Sequence, residues 1–353
     1  MRSNLSITVY DTIQEVNSGQ WNHVVTQSGR GSVYHRYEWI KSVEEGLGLT
    51  GKHTVVSKKG NPIAVFPNFL TNVRLPGEVE RKLPDSLLAQ ISELSSLRPG
   101  YGGPVIQTNE SEVLELFLER LEKTGGKKTI SHYLRSASLE NVRYANRLEQ
   151  EGYKPNVSRC KIILDVTQDI DDIRSSMDKG RRQNIRKAKN NDPKVYSEEL
   201  SEKSLEEFYR GYEATMDRVE SDPYPFNFFE ELAENLRDSL LLVAVDVDGE
   251  TVGRHLCVVD DIQRTVSYEF ASVFEDNFEY YPSDLIHEFT IKWCQEEGYD
   301  EYDLGPTPSD FNDGLFSYKE QYGGEVVPIL IWERGTSPLW SMYKIMRSVY
   351  KRL

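Results

Sequence analysis

The stretch PSDLIHEFTIKWCQEEGYDEYDLG, from Pro282 to Gly305, decides the fold. Its first part has apolar residues at the three- and four-residue spacing of an amphipathic helix, with Ser283 as the predicted N-cap. Its end, YDLG, is typical of a short strand closed by glycine. A helix followed at once by a strand predicts a protein built on a sheet with helices packed against it.

The residues before this stretch predict three neighbouring strands. The run SLLLVAVDVDGETVGRHLCVVDDIQRTVSYEFASV (239–273) has turn residues at DVDGE and DDIQ between β-branched runs, which is typical of a meander. Strands of a meander are antiparallel, whereas a helix between two strands favours parallel pairing. The predicted fold class is therefore α/β, with mixed sheets of the α+β kind.

The same order of elements is predicted in both halves of the chain. Strand, helices, hairpin or meander, helix, strand and helix follow one another from SITVYD (6–11) and again from KIILDV (161–166). A chain of 353 residues is long enough for two such domains. The predicted domains are residues 1–157 and 158–325. Residues 326–353 are predicted to form a last segment, which contains most of the strand EVVPILIWE (325–333) and a final helix.

Composition and charge exclude several classes of protein. Acidic residues outnumber basic ones by 57 to 42, so the average surface field disfavours nonspecific binding of nucleic acid or anionic membrane. Three scattered cysteines and six histidines without an HExxH pattern predict neither a disulfide framework nor a metal site. The start, MRSNLSITVYD, lacks the apolar core of a signal peptide, and LLLVAV (240–245) is too short for a membrane span, so we expect a cytoplasmic protein.

Two local patterns are candidates for function. In LFSYKEQYGG (315–324), Lys319 stands between Tyr318 and Tyr322, ahead of a glycine pair. A fixed cation can stabilise the negative charge that develops on a carbonyl oxygen during acyl transfer. The alternative is a surface lysine near the end of a short helix.

The second pattern is the basic segment KGRRQNIRKAK (179–189). The run GRRQNIRKAKNN (180–191) is predicted to continue the helix of DIDDIRSSM (169–177). The six basic residues of 179–189 have no acidic neighbour within that segment, and four of them share one helical face. These four are Lys179, Arg182, Arg186 and Lys189. In an acidic protein such a face is a candidate site for a tRNA backbone or for carrier phosphates, although a solvated basic face is equally expected.

Four stretches together resemble the FemAB/FemX group of aminoacyltransferases and the related GNAT-like acyltransferases. They are GRRQNIRKAK (180–189), ATMDRVESDPYPFNFFEEL (214–232), SYEFASV with the helix and strand that follow (267–305), and GLFSYKEQYGGE (314–325). The resemblance implies two GNAT-like domains in tandem with a substrate cleft between them, and a last strand and helix that pack back on the first. It also implies transfer of an acyl group, commonly an amino acid from aminoacyl-tRNA, to a primary amine on a cell-envelope or polysaccharide precursor.

The resemblance further implies roles for single residues. Lys319 would be catalytic, and the substrate-binding residues would be Arg218 in TMDR, Tyr268 in VSYEF, Tyr318, Lys41 after Trp39, Arg182 and Arg186. For Arg218 the alternative is an ion pair with a neighbouring carboxylate, at Asp217, Glu220 or Asp222. For Tyr268 the alternative is a core aromatic, as is common on strands.

The donor and the class of activity stay open at this point. The usual acetyl-CoA loop, [QR]xxGx[GA], is missing, and GRRQNIRKA (180–188) is expected in the corresponding place. We therefore expect no tightly bound cofactor, with aminoacyl-tRNA or acyl-CoA as donor. Two alternatives are an acyl-CoA-dependent N-acyltransferase and a non-catalytic polyanion-binding protein with the same fold.

The segment SPLWSMYKIMRSVYKRL (337–353) is predicted to be an amphipathic helix. Met342, Met346, Val349 and Leu353 lie on one face, with Trp340, Tyr343 and Tyr350 close by, and we expect this apolar face to pack on the first domain. Its four basic residues and lack of acidic ones would equally suit the surface of an anionic membrane. Peripheral contact with the inner face of the membrane is therefore the alternative.

Overall fold

The computed structural model describes residues 4–72, 91–96, 99–126, 128–136 and 138–350. The chain divides into two compact units, one of residues 1–157 with 329–353 and the other of residues 158–328. Strands and helices alternate in both units, and the predicted α/β class with mixed sheets is confirmed.

The elements are as follows in chain order. The strands are β1 (Leu5–Tyr10), β2 (Thr50–Gly51), β3 (His53–Lys58), β4 (Asn61–Phe66), β5 (Phe69–Asn72), β6 (Ser92–Ser95), β7 (Val105–Ile106), β8 (Thr129–Arg135), β9 (Lys154–Asn156), β10 (Arg159–Asp165), β11 (Lys194–Glu198), β12 (Leu240–Val247), β13 (Glu250–Asp260), β14 (Thr265–Ser272), β15 (Glu301–Pro308), β16 (Glu325–Pro328) and β17 (Ile331–Gly335). The helices are α1 (Ser18–Gln27), α2 (Tyr37–Leu47), α3 (Glu110–Thr124), α4 (Ala145–Gln150), α5 (Ile170–Ser176), α6 (Lys179–Lys189), α7 (Glu202–Arg218), α8 (Phe226–Asn235), α9 (Pro282–Glu297), α10 (Gly314–Glu320) and α11 (Pro338–Tyr350).

The second unit is built on one seven-stranded sheet, in the order β11-β12-β13-β14-β15-β10-β16. The predicted meander β12–β14 is confirmed as antiparallel, and β14 and β15 form the parallel pair. Side chains that alternate along these strands pack with α9 into one core, which includes Val243, Val266, Leu304 and Ile291. This burial holds β14, β15 and the start of α9 in fixed positions.

The first unit contains two further sheets among the described residues. Their orders are β1-β3-β4-β7 and β2-β5-β6-β8-β17-β9. The predicted hairpin after His53 is confirmed by the antiparallel pairing of β3 with β4. Lys41, on α2, lies in this unit and pairs with Glu45 through an Nζ–Oε2 distance of 3.6 Å.

The prediction of a single strand over EVVPILIWE is wrong. β16 pairs with β10 in the second unit, whereas β17 lies between β8 and β9 in the first. Pro328, at the end of β16, has no N–H to extend the ladder. The chain leaves the first ladder there, and the carbonyl of Leu330 accepts a hydrogen bond from the amide of Ser136.

The prediction of a continuous helix from residue 169 to residue 191 is also wrong. Asp178 separates α5 from α6, because its side chain accepts from the amide of Gly180 at 2.6 Å and caps α6. Ser283 is not the N-cap of α9. That helix begins at Pro282, after Tyr281 in a left-handed conformation with φ 51°.

Helix α11 packs through the aromatic side chains close to the predicted face, and Met342 of that face is not packed. Tyr343 is buried and stacks on Trp340, with ring centroids 5.4 Å apart. Met342, predicted to be in the packed face, is 60% exposed. Two aromatic rings bury more apolar area than a methionine side chain, so they decide which face turns inward. The side chains of Met346, Val349 and Leu353 lie outside the described residues.

Candidate active site

A crevice opens in the second unit where the two parallel strands of its sheet separate. β14 and β15 are paired at three positions, the last of them Ser267 opposite Asp303. Both strands continue beyond these positions, but without pairing to each other. In open sheets of this kind, ligands bind in crevices at the carboxyl ends of parallel strands.

Two local irregularities shape this opening. On β14, Tyr268 is opposite Cys257 while Phe270 is opposite Leu256, so Glu269 is an extra residue in a β-bulge. On β15, Gly305 has φ 78°, and a Cβ there would collide with the carbonyl oxygen of Tyr268. Glycine is therefore required at position 305 by both its conformation and its neighbour.

The crevice is a cavity of about 810 Å³ within the second unit. Four cationic side chains line it, and they come from β10, α6, α7 and α10: Arg159, Arg181, Arg218 and Lys319. Three acidic residues also line it, namely Glu269, Asp284 and Asp313. The cavity therefore offers cations for an anionic substrate and carboxylates for an amine or a proton.

Lys319 is the most deeply buried of the four cations, at 4% exposed. Its Nζ donates to the carbonyl oxygen of Pro306 at 3.1 Å and lies 5.5 Å from the ring centroid of Tyr268. Burial lowers the pKa of this ammonium group from 10.5 to about 8, although Asp303 and Glu269 oppose the shift. The alternative of a surface lysine is wrong, because Lys319 is buried in the wall of the cavity.

Asp303 has a structural position beside this lysine. Its carboxylate accepts from Lys161 Nζ at 2.8 Å and from the amide of Gly305 at 2.8 Å. The second hydrogen bond holds the left-handed turn at Gly305 in place. Asp303 thus shapes the opening and is not among the residues that line the cavity.

Tyr318 belongs to a hydrogen-bonded chain with a definite direction. Tyr322 donates to Asp284 at 2.6 Å, and the two tyrosine hydroxyl oxygens are 3.1 Å apart. Because a carboxylate only accepts, the proton of Tyr322 is committed to Asp284, and Tyr318 must donate to Tyr322. The Tyr318 oxygen is thus an acceptor at the cavity, where the side chain of Ser283 also hydrogen-bonds to it and where it can accept from a substrate N–H.

Arg181 holds the far end of this chain. It donates from Nη1 to both oxygens of Asp284, at 2.9 and 3.2 Å, and from Nε and Nη2 to Gln321. Its guanidinium carbon lies 4.5 Å from the ring centroid of Tyr318. These contacts occupy Arg181, which is paired with Asp284 and lies against the ring of Tyr318.

Arg218 does not form the ion pair that the sequence offered as an alternative for it. It donates from Nη1 to the carbonyl oxygen of Val273 at 3.1 Å and stacks over Phe278 at 4.7 Å. No carboxylate pairs with it among the residues that the structure describes. A guanidinium fixed in this way has donors left for a phosphate or carboxylate.

Two histidines lie behind the cavity wall. His255 stacks on Tyr268 at 4.4 Å, and His287 is 2.7 Å from the hydroxyl of Tyr302. Burial lowers the pKa of both imidazoles, to about 3 for His255, so both are neutral near pH 7. Tyr268 thus lines the cavity with one side of its ring and packs on the core with the other.

The predicted basic face of α6 is not part of this cavity. Arg182 and Arg186 line a separate cavity of about 250 Å³. Arg182 donates to the carbonyl of Ser175 at 2.7 Å, at the end of α5, and Lys189 pairs with buried Glu288. Arg186 has no ion pair within the described part of the chain. Lys41, in the first unit, is likewise not among the residues lining the larger cavity.

Arg181, Glu269 and Asp284 line the cavity but are not singled out by any pattern in the sequence. The direction of the Arg181 side chain can be deduced from helix geometry only when it is known which face of α6 is packed. Glu269 gives no signal at all, because alternation along a strand predicts that it points away from the side of Tyr268. The expected place of GRRQNIRKA in a strand-to-helix loop is also wrong, since it lies within α6. The loop that leads from β14 into α9 is VFEDNFEYY (273–281).

No group of three histidine, cysteine or acidic side chains within the described ranges comes together as in a metal site. The cavity itself is lined by ammonium, guanidinium, phenol and carboxylate groups.

Comparisons with known proteins bear on this unit and on the whole fold. Residues 176–320 match the family Acetyltransf_6, described as an acetyltransferase (GNAT) domain. None of the curated protein sequences matches the chain. The match spans α6 to α10 and thus every element that lines the cavity except β10.

Three solved structures illustrate the likeness of the whole chain. FemX is 14% identical with a TM-score of 0.70, covering 96% of this chain and 99% of its own. L-PGS from Bacillus licheniformis is 12% identical with a TM-score of 0.59, covering 94% and 96%. A tandem GNAT protein from the clavulanic acid biosynthesis pathway is 10% identical with a TM-score of 0.57, covering 95% and 99%. At these identities the likeness shows the fold, a tandem GNAT-like arrangement.

Proposed function

We propose that this chain, a transferase of the GNAT-like acyltransferase superfamily with the fold of FemX, moves an acyl or aminoacyl group onto a primary amine. The acceptor would be a cell-envelope or polysaccharide precursor. The observation that carries the proposal is the buried ammonium group of Lys319 at the opening between β14 and β15. The non-catalytic alternative does not explain why a lysine is kept desolvated at this point, since burying an ammonium group costs stability.

The cavity supports each part of the transfer step. The amine nitrogen bonds to the donor carbonyl carbon, and the π electrons of the carbonyl move onto its oxygen, where Lys319 stabilises the charge. The Tyr318 oxygen accepts one N–H of the amine and orients it. The carboxylate of Glu269 takes the proton that nitrogen loses. The tetrahedral intermediate then collapses: the oxyanion electrons re-form the carbonyl, and the oxygen or sulfur of the donor leaves with the bonding electrons and takes the proton held by Glu269.

Arg218 would bind an anionic group of the substrate away from the reacting carbonyl. It is exposed in the cavity, and its stacking on Phe278 limits the freedom that binding would otherwise remove. A guanidinium binds phosphate through two parallel hydrogen bonds, which suits a nucleotide, a tRNA or a phosphorylated carrier. Tyr268 would form the floor of the site beneath the reacting group.

We propose aminoacyl-tRNA as the donor, with acyl-CoA as the second candidate. The match to an acetyltransferase domain favours acyl-CoA. Against it, the loop 273–281 at the opening has no glycine and carries Glu275, Asp276 and Glu279, which would repel a pyrophosphate. We further place the enzyme in the cytoplasm, in peripheral contact with the inner face of the membrane.

Ligand-induced thermal shifts test the donor. We expect charged tRNA to raise the melting temperature more than uncharged tRNA, acetyl-CoA or nucleotide sugars do. A ligand at roughly 100 times its Kd adds about 2.7 kcal/mol to the free energy of unfolding. A shift with acetyl-CoA alone would establish the second candidate, and no shift with any acyl donor would contradict acyl transfer.

Charge reversal tests the basic face of α6. Arg182→Glu with Arg186→Glu should weaken tRNA binding and lower the slope of log Kd against log salt by about 0.9 for each phosphate that is no longer neutralised. Because Arg182 also caps α5, Arg186→Glu with Lys179→Glu separates binding from stability. Lys203→Glu is the control, since Lys203 is 85% exposed on α7. Wild-type affinity that is absent or independent of salt would rule out a polyanionic donor at this face.

A further inference from the structure

The face of α11 that turns away from the sheet is apolar. Leu339, Met342 and Ile345 are 48%, 60% and 65% exposed. Their spacing of three residues places them within about 120° of the helix circumference. Tyr343, which is buried, and Trp340, which stacks on it, form the packed side of the same helix. The exposed face is therefore not required for packing in the first unit.

The charge of the segment that contains α11 is opposite in sign to the net charge of the protein. Residues 337–353 contain Lys344, Arg347, Lys351 and Arg352 and no acidic residue, in a chain with a net charge of −15. Lys344 is half exposed and reaches Glu333 at 3.4 Å. No helix in the described residues is long and apolar enough to cross a membrane. A short helix with an apolar face and flanking cations is the pattern of a helix that lies in a lipid surface.

We infer that α11 binds the surface of an anionic lipid bilayer, with Leu339, Met342 and Ile345 inserted among the acyl chains. A convex row of three apolar side chains suits a deformable lipid surface better than a protein groove, which would have to match its shape. Each basic residue near an anionic surface adds attraction that falls off within a Debye length. The inference relies on the proposed function only for its purpose, which is to bring the enzyme to a lipid-linked amine.

Vesicle sedimentation with the whole protein tests this surface. We expect binding to mixed phosphatidylglycerol–phosphatidylcholine vesicles, weaker binding in high salt, and none to pure phosphatidylcholine. Met342→Ser with Ile345→Ser should reduce binding at least about tenfold, because two inserted side chains are removed. Both positions are exposed, so an unchanged melting temperature is the check on folding. The control is Phe311→Ser, which removes a side chain that is 77% exposed on the second unit.

Two outcomes would overturn the inference. One is that the wild type does not sediment with anionic vesicles, or that the double variant sediments equally well. The other is that the double variant abolishes a concentration-dependent dimer seen by light scattering, which would make this face a contact between two copies. Neither measurement includes a donor or an acceptor, so failure here leaves the acyl-transfer proposal intact.

Discussion

Replacing Lys319 by alanine should lower the rate of acyl transfer by about 10²- to 10³-fold, because the step loses a positive charge already in place for the oxyanion. The fold should survive, since the substitution removes one hydrogen bond, to the carbonyl of Pro306. Lys319→Met is the matched control for lost packing, because methionine fills most of the buried volume of lysine but has no charge. It should lower the rate as much as Lys319→Ala does. Single-turnover rates with the donor identified by the thermal shifts measure the effect. A variant that keeps near-wild-type rates would refute the proposed role.

The pH dependence distinguishes this role from that of a base. Burial lowers the pKa of Lys319 to about 8, so the protonated fraction falls as the pH rises through that value. If the ammonium group of Lys319 stabilises the oxyanion, its deprotonation removes that stabilisation, and the wild-type rate should fall above about pH 8. A rate that rises through the same pH would mean that the neutral amine of Lys319 takes a proton instead.

The same pKa shift predicts the stability of the control variant. The folded-state pKa lies below 10.5, so the unfolded chain binds this proton more tightly. The loss of stability caused by burying the protonated Lys319 side chain is complete below about pH 8 and disappears as the pH approaches 10.5. Lys319→Met should therefore raise the free energy of unfolding relative to the wild type most clearly below pH 8, as measured by urea denaturation.

Replacing Asp284 by alanine should lower the free energy of unfolding by about 3–5 kcal/mol, as is typical when one partner of a buried ion pair is removed. Asp284 is 3% exposed, and the change leaves the Arg181 charge and the Tyr322 hydroxyl without their partner. Arg181 faces the cavity, and entry of water there would place the cost at the lower end of the range. Urea denaturation of the wild type and the variant measures it.

A double variant provides the control for this ion pair. Asp284→Ala with Arg181→Met removes both charges, so it should recover much of the stability lost in the single variant. The direction of the hydrogen-bonded chain also disappears when Asp284 is removed, because Tyr322 is then free to accept from or donate to Tyr318. A cost below about 1 kcal/mol in the single variant would show that the Asp284–Arg181 pair is solvated.

The sequence by itself determined the fold class and most of the elements of the second unit. The meander over β12 to β14, helix α9 and strand β15 each have a period that only one kind of element satisfies. Acyl transfer as the class of activity was also within reach, because the motifs that carry the resemblance lie in the part of the chain that matches an acetyltransferase domain. The individual roles of Lys319, Arg218, Tyr268, Tyr318, Lys41, Arg182 and Arg186 stay predictions.

Only the tertiary structure decided which side chains share the cavity. Glu269 points into it because one extra residue on β14 shifts the register of pairing with β13. The alternation of apolar and polar residues along the strand does not predict such a bulge. Arg181 turns inward on α6 while its neighbour Arg182 caps α5, a choice set by what packs against the helix. The strand predicted over 325–333 divided because each half found hydrogen-bonding partners in a different unit. Local patterns specify the kind of element, whereas burial and hydrogen bonding over long separations in the chain determine where each side chain points.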